Sequence, residues 1–224
     1  VVSVDKSQRN LLCKSIQFIT NCPSCNSKLV KLMNEANHYC LNTNQCLPQK
    51  INQVEHFIAR DAMNISSLGS KTIELLFENK IITSVSDLYK LKVSNFANLR
   101  GFGIESNSFK KAENIINAIE ESKSQSFEKV LYSLGIRHVG KTVSKKLVSY
   151  FGSIDDLSLA GRDELLKIDE IGEKIADSLI IFFQDKKNQI IIKELKSYGL
   201  NFEKIELRND SNVLSDLSFV ISGT

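Results

Sequence analysis

A short element recurs four times along this 224-residue chain, and each copy ends with an apolar residue followed by glycine. The copies, numbered 1 to 4 below, are Asn64-Ile65-Ser66-Ser67-Leu68-Gly69, Leu99-Arg100-Gly101-Phe102-Gly103, Ile136-Arg137-His138-Val139-Gly140 and Ile168-Asp169-Glu170-Ile171-Gly172. Their last glycines lie 34, 37 and 32 residues apart, and a segment of helical periodicity follows each copy. The pattern predicts a mainly α protein with four pairs of helices, each pair joined by a tight hairpin.

The hairpins are expected to expose one end of a helix. The apolar side chain would fill the space between the two helices, and glycine would permit a backbone conformation that a Cβ atom forbids. The second helix then begins with unpaired N–H groups at the positive end of its dipole, where a phosphate group is favoured. Lysine follows three of the glycines closely, at Lys71, Lys141 and Lys174. Copy 2 differs, because Ile104–Ser108 intervene before the next lysines.

These features predict a surface that binds the phosphates of nucleic acid without reading its bases, so that affinity falls steeply with salt. The net charge of +3 is too small to establish such a partner alone, but Ile136–Tyr150 holds four cations and no acid. The candidate DNA-binding residues are Gly69, Lys71, Gly101, Gly103, Arg137, Gly140, Lys141, Lys145, Gly172 and Lys174.

Two alternatives to that surface stay open. A glycine between two helices is often only a helix cap, and a basic run is often a solvated helix face. The chain would then be a protein-interaction module. A weak dependence of DNA binding on salt would favour that alternative.

Four of the five cysteines follow the pattern C-x2-C-x14-C-x5-C, which is typical of a zinc site. Cys22 and Cys25 flank a short turn, and Cys40 and Cys46 flank an Asn-rich segment that can turn sharply. Four thiolates would close the site, so the zinc would be structural. Cys13 is expected to be an ordinary small apolar residue.

The cysteine pattern leaves other interpretations. Disulfides fit poorly with a chain that shows no export signal, and buried free thiols would not need paired spacing. His38 could replace Cys40 as the third ligand. Residues 20–47 hold few large apolar groups, which favours a metal as the source of their stability.

The composition, 42% hydrophobic and 25% charged, is that of an ordinary globular protein and excludes a disordered tail or a collagen-like fibre. Without a long apolar run or a signal-like N-terminus, a cytosolic protein is favoured, with no membrane partner. The absence of an initiator methionine suggests a piece of a longer chain. The sequence does not imply an oligomer.

The four-cysteine finger followed by four helix-hairpin-helix elements resembles the C-terminal half of bacterial NAD-dependent DNA ligase over essentially the whole chain. Three further segments strengthen the resemblance: the run after Cys46 as far as Ile65, Asp87–Leu91 and Leu134–Gly140. Residues 1–19 resemble the tail of an oligonucleotide-binding barrel, and Leu217–Thr224 resembles the start of a BRCT domain. Two departures are that Ser67 replaces the usual glycine of copy 1 and that copy 2 carries an insertion before Lys110.

The resemblance implies four segments: a barrel tail at residues 1–19, a four-cysteine zinc finger at 20–48, a helix-hairpin-helix DNA-binding domain at 49–200, and a linker with a truncated BRCT start at 201–224. It also implies a parent enzyme that uses NAD and magnesium to seal nicked duplex DNA in replication and repair, within the bacterial cytoplasm and at the nucleoid. No K-x-D-G adenylation motif occurs here, so the segment alone is expected to bind DNA without ligating it. The alternative is a free-standing helix-hairpin-helix DNA-binding or repair scaffold protein.

Overall fold

The computed structural model describes residues 17–32, 36–43, 45–102 and 108–204, with the backbone alone for Ser108. The chain divides into two compact units, residues 1–52 and 53–224. Several expectations lie outside the described residues: Cys13, most of the barrel tail, Gly103 with the insertion that follows it, and the BRCT-like end. The predicted β remnants at the two termini lie there as well.

The first unit is built around a small antiparallel sheet. Strand β1 (Leu29–Lys31) pairs with β2 (His38–Cys40) so that Leu29 lies opposite Cys40. The turn before β1 is tight: the Cys22 amide donates to the Ser27 carbonyl, the Asn26 amide donates to the Cys22 carbonyl, and Asn26 has a φ of 57°. Asparagine tolerates this left-handed conformation better than most residues, which lets the chain reverse between two cysteines.

Helices make up most of the second unit. The first, α1 (Leu47–Ile58), contains the boundary between the units. The others are α2 (Ser70–Glu78), α3 (Ser108–Ser122), α4 (Phe127–Ser133), α5 (Lys141–Phe151), α6 (Ile154–Leu159), α7 (Arg162–Leu165), α8 (Glu173–Gln184) and α9 (Lys186–Ser197). Two 3-10 turns, Val85–Lys90 and Val93–Phe96, lie between α2 and α3. The mainly α prediction with a separate cysteine cluster is confirmed.

The repeated element places two apolar side chains of each copy in the core. All eight are 8% exposed or less: Ile65 and Leu68, Leu99 and Phe102, Ile136 and Val139, Ile168 and Ile171. In copies 2, 3 and 4 the amide of the second apolar residue donates to the carbonyl of the first, at 3.0 Å. Burial of this pair and a closed turn fix the path of the chain into the next helix. Since Gly103 of copy 2 and the four residues after it are not described, the fourfold repeat as a whole stays a prediction.

The structure corrects the expected role of the last glycine. Gly69, Gly140 and Gly172 have φ values of −102°, −86° and −89°, which any residue can adopt. The left-handed conformation falls two residues earlier instead. It is adopted by Ser67 (φ 69°), Gly101 (φ 85°), His138 (φ 66°) and Glu170 (φ 65°). A Cβ atom is therefore disfavoured at that earlier position, and not at the final glycine.

The helices that precede copies 1 and 3, α1 and α4, are in direct contact within the second unit. His56 on α1 reaches the end of α4, where its Nε2 atom lies 2.9 Å from the Tyr132 carbonyl oxygen. The two rings meet edge to face at 4.8 Å. In the same unit, the Ser86 hydroxyl donates to the Glu194 carboxylate, which joins the first 3-10 turn to α9. Contacts between distant parts of the sequence thus hold the hairpins together.

Among the described residues, no helix has both the length and the apolar character that a bilayer crossing requires.

Candidate nucleic-acid interface and metal centre

The four cysteines of the predicted finger converge. Their sulfur atoms all lie within 4.8 Å of one another. Cys22 and Cys46 are 3.9 Å apart at sulfur, and Cys25 and Cys40 are 3.5 Å apart. Tetrahedral zinc with Zn–S bonds of about 2.3 Å separates its ligands by about 3.8 Å. The geometry and the donor set therefore fit one tetrahedral zinc ion.

The pKa values of two of these thiols are shifted in opposite directions. Hydrogen bonds with Ser27 lower the pKa of Cys25 to about 6. At Cys40 the Asn42 amide lowers the pKa, but burial and the neighbouring sulfurs outweigh it and raise the pKa to about 11. Four thiolates packed this closely repel one another, and a bound Zn²⁺ removes that penalty.

The alternatives for the cysteines are not favoured by the geometry. Cys22, Cys25, Cys40 and Cys46 are unpaired thiols, so no disulfide forms among the described cysteines. His38 is not part of the converging group, and its ring stacks on Phe18 with centroids 5.4 Å apart. Cys46 lies immediately before α1, which continues into the second unit.

The glycines that end copies 1, 3 and 4 are the N-cap residues of α2, α5 and α8. Each is exposed, and a Cβ atom added at Gly69, Gly140 or Gly172 would meet no heavy atom of the described residues within 4 Å. Because the N-cap residue is glycine, no N-cap side chain caps the first amides of these helices. The first two amides are therefore open to an external acceptor, whereas the third amide of α2 and of α8 donates to the carbonyl of the preceding glycine.

Other helices of the same unit begin differently. The Ser153 hydroxyl accepts from the Asp156 amide at the start of α6, and the Asp185 carboxylate accepts from the Lys187 amide at the start of α9. Such caps satisfy amides that would otherwise need water or a ligand. The starts of α2, α5 and α8 therefore differ from those of α6 and α9, although α4 and α7, outside the repeated element, also begin without a side-chain cap.

The predicted lysines lie on the surface beside these helix starts. Lys71, Lys145 and Lys174 are exposed on α2, α5 and α8. Lys141 is also exposed, but its Nζ atom forms an ion pair with the Asp61 carboxylate. Arg137 is exposed within copy 3, and Gly101 is exposed within copy 2. The structure therefore puts basic groups near all three described helix starts, with Lys141 already paired.

Acidic groups distinguish copy 4 from copy 3. Lys146 lies 3.2 Å from Asp169 and 3.0 Å from Glu170, which both belong to copy 4. Hydrogen bonding to Glu170 raises the pKa of Lys146. Although no acid is near Lys146 in the sequence, the fold supplies two, and Glu173 adds a third beside Gly172. Copy 3 is therefore the more electropositive of the two.

Sequence reasoning missed three residues near the start of α5. The Asp61 carboxylate lies beside Lys141, and the charges of Arg60 and Lys129 also act on it. The hydrogen bond from Lys141 and this positive field lower the pKa of Asp61. The Arg60-Asp61 pair carries no signal of its own, since its partners are about 70 to 80 residues away in the chain.

Two family models match the chain. The NAD-dependent DNA ligase C4 zinc finger domain matches residues 21–47, which contain all four converging cysteines. The helix-hairpin-helix motif matches residues 129–192, which contain copies 3 and 4. The matches thus fall on the metal centre and on two of the uncapped helix starts.

Curated relatives match the chain over its full length. Proteins named DNA ligase from Flavobacterium johnsoniae, Christiangramia forsetii and Phocaeicola vulgatus are 44%, 45% and 45% identical to it over 225 aligned positions. The chain spans about a third of the length of these relatives, since it covers 33% of each. The chain is therefore homologous to about a third of the length of these proteins named DNA ligase, and it contains segments that match an NAD-dependent DNA ligase C4 zinc finger domain and a helix-hairpin-helix motif.

Proposed function

We propose that this chain is the part of an NAD-dependent DNA ligase that grips duplex DNA around a nick. It would bind the sugar–phosphate backbone through main-chain amides at the starts of α2, α5 and α8. The basic side chains Lys71, Arg137, Lys145 and Lys174 would reinforce that contact. Gly101 and Gly103 would give copy 2 a similar role.

One observation carries the proposal: three helices begin with a glycine that the fold itself does not require. The conformations of Gly69, Gly140 and Gly172 suit any residue, and there is room for a side chain at each. A missing Cβ leaves the amides accessible to a bulky group from outside the protein. A phosphate oxygen is the acceptor best matched to a row of N–H groups at the positive end of a helix.

The same chemistry implies binding without sequence preference. Amide and lysine contacts to phosphates position a duplex but carry no base information. An open depression of about 560 Å³ lies beside the start of α2, and its lining includes Ser66, Ser67, Gly69 and Ser70 together with Glu55. The serine hydroxyls would be further donors for backbone oxygens.

The zinc would act on structure alone. Four thiolates fill the coordination sphere of Zn²⁺, which leaves no position for a water molecule or a phosphate oxygen. In the first unit, only Cys22 and Cys46 are buried among the described apolar residues. The metal would therefore replace the core that this unit lacks.

Ligation would depend on the remaining two thirds of the parent enzyme. The adenylating lysine, NAD and magnesium would belong to that part, where joining of the 3′-hydroxyl to the 5′-phosphate takes place. This chain would help to hold the nicked duplex in the bacterial cytoplasm, at the nucleoid. On its own it would bind DNA and would not seal it.

A salt titration tests the proposal. Fluorescence anisotropy with a labelled nicked duplex of arbitrary sequence measures the association constant. The logarithm of this constant should fall linearly with the logarithm of the salt concentration. The slope should correspond to several phosphate contacts, at about 0.9 for each. Duplexes of unrelated sequence should bind equally well.

Two results would separate the alternatives. Binding that does not change with salt would overturn the phosphate-grip proposal and favour a protein-interaction module. Equal affinity for nicked and intact duplexes, with no gain in ligation when the chain is joined to the rest of a relative's sequence, would favour a free-standing DNA-binding protein.

A further inference from the structure

We propose that an additional phosphate site lies at the joint where α1 meets α4, and that Arg60, Lys129 and Lys141 form it. In this site Asp61 is an internal anion that a DNA phosphate displaces. We call these four residues the joint cluster. The inference rests on the proposed function, because it concerns the same duplex. It adds a second kind of contact, made by side chains and regulated by a carboxylate.

The packing of α1 against α4 brings the cluster together. His56 contacts the Tyr132 carbonyl and approaches the backbone of Gly135. Arg60 and Asp61 lie in the turn that follows the end of α1 at Ile58, and Lys129 lies on α4, three residues before Tyr132. The contact between α1 and α4 therefore brings this turn close enough to α4 for the charge of Lys129 to act on Asp61.

The Asp61 carboxylate lies at the centre of the cluster. It forms an ion pair with Lys141, the first residue of α5. The charges of Arg60 and Lys129 act on the same carboxylate. The Lys129 ammonium also donates to the Gln125 side chain at 2.8 Å, which leaves further N–H donors on that group.

The charge balance of the cluster favours an anion. Three cations face one carboxylate, so a net charge of +2 remains after Asp61 is counted. Arg60 is exposed, and Lys129 is partly buried. The bare amides of α5 begin at the residue that Asp61 holds, which adds the positive end of a helix dipole to the same place.

Asp61 is suited to displacement. Its side chain is 60% exposed and that of Lys141 is 56% exposed, so water and salt screen the pair. A DNA phosphate offers several acceptor oxygens and releases condensed counterions when it binds. Asp61 would therefore hold Lys141 in place before DNA binds. Because its negative charge must be displaced when a phosphate binds, Asp61 would lower the affinity for DNA.

Binding measurements on charge variants of the whole 224-residue chain test the inference. Asp61→Asn should raise affinity for the nicked duplex about two- to threefold at low salt, as expected for removing one charge some 8 Å from a phosphate in water. It should leave the salt slope unchanged, because the phosphate displaces Asp61 and contacts Lys141 in the wild type as well. Arg60→Gln and Lys129→Gln should each weaken binding and make the slope shallower by about 0.9.

The chain offers a matched control pair. Asp155 and Lys196 form another ion pair between distant elements, at 2.6 Å, and Asp155 is 72% exposed. Asp155→Asn changes the net charge as Asp61→Asn does, and Lys196→Gln matches Arg60→Gln. Arg60→Lys retains the charge and should restore most of the affinity that Arg60→Gln loses.

The outcomes distinguish failure of the inference from failure of the proposed function. Absence of salt-dependent binding by the wild-type chain would overturn the proposed function. If the wild type binds and Gly140→Ala weakens binding, but the joint-cluster variants match the Asp155 and Lys196 controls, the inference alone is wrong. A loss of affinity in folded Asp61→Asn would also overturn it, because Asp61 would then position Lys141 and not compete with phosphate.

Discussion

The ring of His56 bridges two helices that are far apart in sequence, with its Nε2 atom 2.9 Å from the carbonyl oxygen of Tyr132. The Nε2–H tautomer donates this bond. His56→Ala would remove one hydrogen bond from this carbonyl, which still accepts from the Gly135 amide at 3.1 Å, and would open a gap beside Gly135. We therefore expect the free energy of unfolding to fall by about 0.5–1.5 kcal/mol. Urea denaturation followed by circular dichroism measures the change.

His56→Gln is the matched control, since its amide can donate to the same carbonyl. It should recover part of the stability lost in His56→Ala. Equal losses in the two variants would contradict a role for this hydrogen bond and leave the ring packing alone as the cause.

Gly140→Ala should separate DNA binding from folding. The added methyl group has space within the protein, because no described atom lies within 4 Å of it. It would obstruct the amides at the start of α5, and loss of one charge-assisted amide–phosphate bond should weaken DNA binding about tenfold. The bulkier Gly140→Val should weaken it further, with the fold verified by circular dichroism.

Gly161→Ala is the control for that experiment. Gly161 begins α7 with φ −78° and ψ 164°, also without a side-chain cap, and also with open space around it among the described residues. It lies outside the repeated element. An equal effect of both variants on DNA binding would show that a helix-capping glycine is not enough to mark a contact.

His138→Gly should stabilise the protein. His138 has a φ of 66°, a conformation that costs an ordinary residue about 1–2 kcal/mol, whereas glycine adopts it freely and loses about 0.5–1 kcal/mol of extra entropy on folding. The free energy of unfolding should therefore rise by about 0.5–1 kcal/mol. Gly101→Ala, at φ 85°, should have the opposite effect in a thermal melt.

Removal of zinc should affect the first unit alone. Metal analysis should return about one zinc ion per chain, and Cys25→Ser should lose it. After chelation, limited proteolysis should cut within residues 17–46, while the helical circular dichroism of the second unit persists. A metal-free sample that resists proteolysis in this range would contradict the structural role of the metal.

Asp87 should make stability sensitive to acid. Burial raises the pKa of Asp87, but hydrogen bonds from Lys90 and Thr83 outweigh it and lower the pKa to about 2. Since the folded-state pKa lies below the unfolded value of about 3.9, the stabilisation is present above about pH 4 and is lost as the pH falls towards about 2.

Thermal melts from neutral pH down to about pH 2 check this dependence. Asp87→Asn should lower the melting temperature at neutral pH, and its difference from the wild type should shrink as the solution is acidified. Asp155→Asn, which breaks a more exposed ion pair, should show a smaller loss. A constant difference between Asp87→Asn and the wild type across the range would contradict the assignment.

Local sequence patterns predicted the features that depend on neighbouring residues. The spacing of Cys22, Cys25, Cys40 and Cys46 was enough to predict their convergence, and each apolar residue before a final glycine is buried. In both cases a short chain segment determines the geometry. Helical periodicity likewise predicted the helices that follow the glycines.

The backbone of the hairpins was harder to predict. Glycine is the residue expected at a left-handed position, yet serine, histidine and glutamate adopt that conformation in copies 1, 3 and 4. The strain at Ser67, His138 and Glu170 is tolerated because the flanking apolar residues are buried. No sequence pattern reveals where packing overrides a local preference.

The electrostatics of the site could not be predicted from the chain order. Lys141 and its partner Asp61 are 80 positions apart, and the acidic partners of Lys146 lie more than 20 positions after it in the sequence. These pairs exist only because the helices pack as they do. In the sequence, the lysines of the basic segment Ile136–Tyr150 look equivalent. In the folded protein they differ, because Lys145 is exposed whereas Lys141 and Lys146 form ion pairs.

Val139 and Gly140 are adjacent, yet one side chain is buried and the other position is open to solvent. Saturation mutagenesis read out separately for abundance and for DNA retention should therefore give opposite profiles at consecutive codons. Substitutions at Val139 would deplete the protein, whereas those at Gly140 would leave normal amounts of a chain that no longer holds its ligand. Two adjacent positions would thus show opposite mutational sensitivity, one in protein stability and the other in DNA recognition.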